Sequence, residues 1–253
     1  GNNLTLTATN NLTTAEKLTA GGNIAASSAN GNIDITAAEA KGGIDLKATN
    51  GTLTAGVLQA KGSIAATGKD IAMKQKAAAE KDLTLRATNK LTTEDELSAG
   101  ANMTLTGGDV TTQKKVKAEK DLTMTATNKL TTADELSAGQ NMTLTGGDVT
   151  THKKVIAGSN LTMTAQNNLT TAEKLTAGGN IAASSETGNI DLAAAEANGG
   201  IDLKAANGTL TAEALQAQAN IAAAGKDVAM KQATAGNNLT LTATNNLTTA
   251  EKL

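Results

Sequence analysis

Residues 81–119 read KDLTLRATNKLTTEDELSAGANMTLTGGDVTTQKKVKAE, and residues 120–158 restate them at once as KDLTMTATNKLTTADELSAGQNMTLTGGDVTTHKKVIAG, with seven differences in 39 positions. Each copy divides again: Leu83-Thr84-Leu85 returns as Met103-Thr104-Leu105, and Leu91-Thr92-Thr93 returns as Val110-Thr111-Thr112. A unit this short cannot bury an apolar face alone. It must stack on its neighbours, so the chain reads as a solenoid.

The first apolar residue of each unit falls at Leu4, Ile24, Ile44, Ile64, Leu83, Met103, Leu122, Met142, Leu161, Ile181, Ile201, Ile221 and Leu239, in steps of 18 to 20 residues. Apolar residues occupy three places per unit. The first is a pair two apart, such as Leu83/Leu85. The second is Leu12, Leu53, Leu91, Val110, Leu130, Val149, Leu169, Leu210 or Leu247, and the third is Leu18, Leu58, Leu97, Val116, Leu136, Val155, Leu175, Leu215 or Leu253. The L-T-L-T alternation is a strand signal with Leu inward and Thr outward. Leu83, Leu91, Leu97, Leu122, Leu130 and Leu136 are therefore expected inside, and Thr84, Thr104 and Thr123 outside. Helical repeats need more than 30 residues and two amphipathic helices, and the leucine-rich spacing is absent. The expectation is an all-β parallel β-helix with three short strands per coil and about 12 to 13 coils. At about 4.8 Å per coil it would form one domain over 1–253, roughly 60 Å long.

Composition agrees with a narrow, repetitive interior. Phe, Tyr, Trp, Pro and Cys are all absent, so Leu, Ile, Val, Met and Ala must build the core. The 22 Lys and Arg against 24 Asp and Glu leave a formal charge of −2 without a basic block, which argues against nucleic-acid binding. No apolar run reaches membrane-spanning length. Asn3, Asn23, Asp82, Asn102, Asp121, Asn141, Asn160, Asn180, Asn220 and Asn238 precede the first strands, broken by Gly43, Ser63 and Gly200. These residues suit left-handed turns, and stacked Asn amides can bond along the axis. A longer duplication is also present: 158–232 restates 1–75, and 236–253 has the sequence of 1–18. The chain opens at Gly1 and closes on Leu253 in mid-repeat without evident caps, and it reads as an excerpt of a longer filament. Uncapped ends of this kind predict head-to-tail self-association.

The units GNNLTLTATNNLTTAEKLTAG (1–21) and GSNLTMTAQNNLTTAEKLTAG (158–178) resemble the repeats of filamentous haemagglutinins, and the resemblance extends over the whole chain. Those repeats occur in Gram-negative exoproteins exported by two-partner secretion, including haemagglutinin adhesins and the stalks of contact-dependent growth inhibition proteins. The resemblance implies a right-handed β-helix, export through an outer-membrane pore, and a secreted or cell-surface location. It implies contact with a host or neighbouring cell through regions outside this stretch. No functional residue carries over.

Parallel β-helices also carry polysaccharide lyases and hydrolases, so an enzyme is the alternative reading. Such enzymes need converging carboxylates and a basic residue. The single Arg86 and single His152 are matched by Thr125 and Gln113 in the neighbouring copy, which marks both as surface variants. Glu94, Asp95, Glu96, Asp134 and Glu135 are expected at solvated corners, with no two carboxylates facing across a cleft. Gly107-Gly108-Asp109 and Gly146-Gly147-Asp148 supply one Asp per turn, more economically a turn residue than a calcium ligand. The outward Thr series is interrupted by Ala25, Asp45 and Ala65 and again by Ala182, Asp202 and Ala222, unlike an ice-binding face. Sequons such as Asn3-Leu4-Thr5, Asn102-Met103-Thr104 and Asn168-Leu169-Thr170 arise wherever a turn Asn precedes an L-T strand. The expectation is a non-enzymatic structural and adhesive shaft without catalytic, metal or cofactor residues.

Overall fold

The computed structural model describes residues 2–250, and none of them is helical. The chain forms two compact units, 1–126 and 127–253. Each is a parallel β-solenoid. In the first unit the opening residues pair one coil on: Leu4 with Ile24, Ile24 with Ile44, Ile44 with Ile64, Ile64 with Leu83, and Leu83 with Met103. In the second, Met142 pairs with Leu161, Leu161 with Ile181, Ile181 with Ile201, Ile201 with Ile221, and Ile221 with Leu239. The apolar series read from the sequence is thus the stacking register.

Burial follows the period-two pattern. Leu83, Leu91, Leu97, Leu122, Leu130 and Leu136 are buried, whereas Thr84, Thr104 and Thr123 are partly exposed between them. Leu4, Leu6 and Leu18 are only partly covered, and Leu247 is half-exposed, because one neighbouring coil covers them instead of two. Leu253 lies outside the described residues. The second and third inward series also contain members that the Leu/Val pattern skipped: Ile33, Ile71, Ile190 and Val228 on the second strand, and Ala38, Ala77, Ala195 and Ala233 on the third.

The inner cross-section narrows at two corners. The last inward residue of the first strand is always Ala, Ser or Gly, as at Ala87, Ser28 and Gly107. The last inward residue of the third strand is always Ala: Ala20, Ala40, Ala60, Ala79, Ala99 and Ala118 in the first unit, and Ala138, Ala157, Ala177, Ala197, Ala217 and Ala235 in the second. Three residues always follow that Ala before the next first strand, so the variation in period arises at the other two corners. Close packing leaves room there for one methyl group.

The strands are less separate than expected. Ile44–Ala60, Ile201–Ala217 and Ile221–Ala235 each run as one strand through the corners instead of breaking into three. No described residue, Gly included, has a positive φ, so the expected left-handed turns at Asn and Asp do not occur. The corners turn with negative φ throughout, and many of them are tied to the coil beside them by backbone hydrogen bonds, as from Gly42 N–H to Gly22 O at 2.8 Å. The asparagine column does bond along the axis, mainly from side chain to backbone. Asn3 Oδ1 accepts from Asn23 N–H at 2.9 Å, Asn23 Oδ1 from Gly43 N–H at 2.7 Å, and Asn160 Oδ1 from Asn180 N–H at 2.9 Å. Amide-to-side-chain bonds also occur, as from Asn160 Nδ2 to Asn141 Oδ1 at 3.2 Å.

Candidate functional site

Any site must be built from outward side chains, because the interior is closed. Arg86 projects from a first strand between Thr67 and Thr106 of the neighbouring coils and is exposed. His152 lies at an exposed corner between the second and third strands, and its backbone N–H donates to Thr132 O at 3.0 Å. The two residues lie in different units, and neither is opposed by an assembled set of carboxylates.

Among the acidic corner residues, Glu94 and Glu96 are engaged by lysines of the preceding coil, whereas Asp95 Oδ1 and Asp134 Oδ1 accept from the backbone N–H groups of Glu96 and Glu135. Lys74 pairs with Glu94, Lys76 with Glu96 at 3.7 Å, and Lys153 with Glu173 at 2.8 Å. Lys17 pairs with Glu39, and Lys174 with Glu196 in the duplicated coil. The Lys17 ammonium holds the Glu39 carboxyl below its ordinary range by hydrogen bonding and charge. Glu173, chiefly by its hydrogen bond, raises Lys153, with a smaller contribution from Asp134. Among the described residues no three His, Cys, Asp or Glu side chains are grouped to hold a metal ion.

The Gly-x-Asp segments are tight corners. Only two residues separate the inward Gly68, Gly107, Gly146 and Gly225 from the next inward Ile or Val, against three or four where Ala or Ser takes that place. A Cβ on Gly107 would stand 2.8 Å from its own corner's Asp109 carbonyl oxygen, and on Gly146 2.6 Å from that of Asp148. The Asp side chains serve the backbone: Asp70 Oδ1 accepts from Lys90 N–H at 3.1 Å, and Asp148 Oδ1 from Asn168 N–H at 3.0 Å. These belong to a second axial ladder before the second strands, continued by Asn168 to Asn189 and Asn189 to Thr209. The Asn-Leu-Thr repetition at Asn11 and Asn168 was its sequence signal. Sequon residues Asn102, Asn160 and Asn168 sit within these ladders, their Nδ2 groups bonded to the preceding coil.

Two surface depressions follow the third strands, one in each unit. In the first, about 440 Å³ lies over Ala78, Ser98 and Gly100, beside the longer Gln59, Lys41 and Lys61. In the second, about 280 Å³ lies over Ala194 and Ala214. Both are open troughs between rows of unequal side chains; Glu39, Lys41, Lys61 and Glu80 line the first, and the mutually paired Lys174 and Glu196 line the second.

Models of the haemagglutinin repeat match residues 1–40, 29–72, 75–114, 106–152, 145–195 and 185–251. The chain belongs to the haemagglutinin-repeat family. The matched segments overlap or adjoin over nearly its whole length, in keeping with coils that share one register within each unit. No curated protein and no solved structure matches the chain. Haemagglutinin repeats are structural and adhesive elements, and the β-solenoid is the architecture expected of them.

Proposed function

We propose that this stretch is part of the shaft of a secreted Gram-negative surface filament, exported through an outer-membrane pore, which carries a distal adhesive or toxic module away from the cell. The observation that carries the reading is the uniformity of the haemagglutinin-repeat coils in each unit. The same inward positions recur, the same Ala closes every third strand, and the outward residues vary among Thr, Ala, Asp, Lys and Arg. A scaffold selected for length keeps its stacking positions and lets its faces drift. A catalytic scaffold would concentrate ionisable groups in one cleft. Modular stacking also fits a length-setting role, because whole coils can be added or removed when each contacts its neighbours alone.

The test is to delete residues 81–119 or to insert a further copy of them. Each change should alter the length by two coils, roughly 10 Å, at constant cross-section in small-angle scattering. Export and surface display of the parent filament should persist. Collapse to a different cross-section would reject the shaft. Turnover of a polysaccharide panel, abolished by changing a carboxylate, would establish the enzyme reading instead.

A further inference from the structure

The corner between second and third strands carries an alternating charge. In the first unit it reads Lys74-Gln75-Lys76 on the Ile64 coil, Glu94-Asp95-Glu96 on the Leu83 coil and Gln113-Lys114-Lys115 on the Met103 coil, formally +2, −3 and +2. In the second unit Asp134-Glu135 on one coil is followed by Lys153-Lys154 on the next. The ion pairs Lys74–Glu94, Lys76–Glu96 and Lys153–Glu173 all reach from a lysine on the earlier coil to a glutamate on the later one.

The core beneath these corners discriminates poorly between neighbours. Leu91 stacks on Val110, Thr93 on Thr112 and Leu97 on Val116. Each of the three first-unit corners is three residues long, so length does not distinguish them either. If the Met103 coil skipped the Leu83 coil and stacked on the Ile64 coil, Thr112 would rest on Met73 and Val116 on Ala77. Those contacts are close in kind to the native Thr93 on Met73 and Leu97 on Ala77. Apolar stacking alone would tolerate the slip.

We propose that the alternating corner is a coil-order code, which permits each coil to stack on its sequence neighbour and opposes stacking on the coil beyond. A one-coil skip sets Lys74 and Lys76 against Lys114 and Lys115. One exposed pair contributes little to stability, but register depends on the difference between attraction in the native stack and repulsion in the slipped one. The corner side chains are exposed or partly exposed, so recoding leaves the core intact. The inference concerns folding specificity and stands whether or not the filament reading holds.

The chain has no cysteine, so engineered pairs report register without interference. Thr92→Cys with Thr111→Cys reports the native stack, where the two are direct partners. Ala72→Cys with Thr111→Cys reports the skip, since those positions are natively two coils apart, about 9.6 Å, beyond disulfide reach. Each pair is refolded from denaturant at low salt and oxidised. With parental corners the first pair should close and the second remain open. With Glu94→Lys, Asp95→Lys and Glu96→Lys, closure of the second pair should rise roughly threefold or more, and 1 M salt should shrink the rise. Inverting the other corners of the run as well (Lys74→Glu, Lys76→Glu, Lys114→Glu, Lys115→Glu, Asp134→Lys, Glu135→Lys, Lys153→Glu and Lys154→Glu) restores alternation and should return closure to the parental level. Unchanged closure after the triple reversal, or failure of the full inversion to restore it, would overturn the proposal.

Discussion

Met73 and Ala77 divide the core of one coil between them, large beside small, where Thr93 and Leu97 fill the next coil small beside large. All four are buried, and both columns stack directly, Met73 on Thr93 and Ala77 on Leu97. The same exchange recurs at Ile35/Ala38 and Ala55/Leu58 in the first unit, and at Leu192/Ala195, Ala212/Leu215 and Met230/Ala233 in the second. Interiors at crystal-like density resist both voids and added methylenes, so a constant cross-section requires the two positions to vary in opposite senses.

Ala77→Leu alone should overpack and destabilise by about 1–3 kcal/mol. Met73→Thr alone should cost about 2 kcal/mol or more through the void it leaves. The double variant recreates the Thr/Leu pair of the following coil and should return to within about 1 kcal/mol of the parent. Denaturant melts of the four proteins measure the coupling; simple additivity would refute compensation.

The hydroxyls of Thr93, Thr112, Thr132, Thr151 and Thr171 are buried without a hydrogen-bond partner. Thr151→Val keeps the shape and removes the unsatisfied group, so it should stabilise by up to about 1 kcal/mol. The outward Thr150→Val should stay within about 0.5 kcal/mol of the parent. A drop in melting temperature for Thr151→Val would mean that its hydroxyl is satisfied in solution.

Gly107 is set by space, since its φ is negative. A Cβ would press on the Asp109 carbonyl and approach Val110 Cγ2 at 3.1 Å. Gly107→Ala should therefore destabilise by about 1–3 kcal/mol despite the entropic advantage of Ala. If one Ala is also inserted in this corner, giving it the three-residue length found after Ala87, much of the loss should return in a thermal melt.

The Glu39 carboxyl is held below its ordinary range by Lys17. A depressed carboxylate contributes stability that is present above its unfolded value, about 4.3, and is lost as pH falls through its folded value. Lys17→Met should raise the Glu39 midpoint in an NMR titration and flatten the loss of stability between about pH 5 and pH 3. A midpoint that does not move would assign the depression to another group.

Leu130→Asp should be far more damaging than Thr123→Lys. Leu130 is buried, and the charge would enter a core without a partner, at a cost of several kcal/mol, whereas Thr123 is partly exposed. Equal thermal tolerance would contradict the inward-outward assignment.

The coil and its register were legible in the sequence because large apolar residues at a short period leave few alternatives. Leu83, Met103 and their equivalents had to stack, and alternation fixed the facing of Thr84 and Thr104 between them. The same alternation, carried on from Leu91, turns Thr93 inward. Composition hid this, since Thr serves equally well on a solvated strand face and at a buried position the size of Val. Ala38 and Ala77 escaped for the same reason: a methyl group carries almost no inside or outside signal.

Corners separated the two levels most clearly. Alternation holds phase within a strand, but each corner of two, three or four residues can reset it, and corner length has no hydrophobic signature. Only the tertiary stack decided that Gly107 yields its Cβ space to the Asp109 carbonyl, that Asn23 and Asn160 offer Oδ1 to the backbone of the next coil, and that Met73 requires Ala77 beside it. Each depends on atoms brought together by coil closure or coil stacking. The sequence determined by itself that coils must stack, through periodic burial; the tertiary structure decided which small and polar residues close them, because that depends on the space left between neighbours.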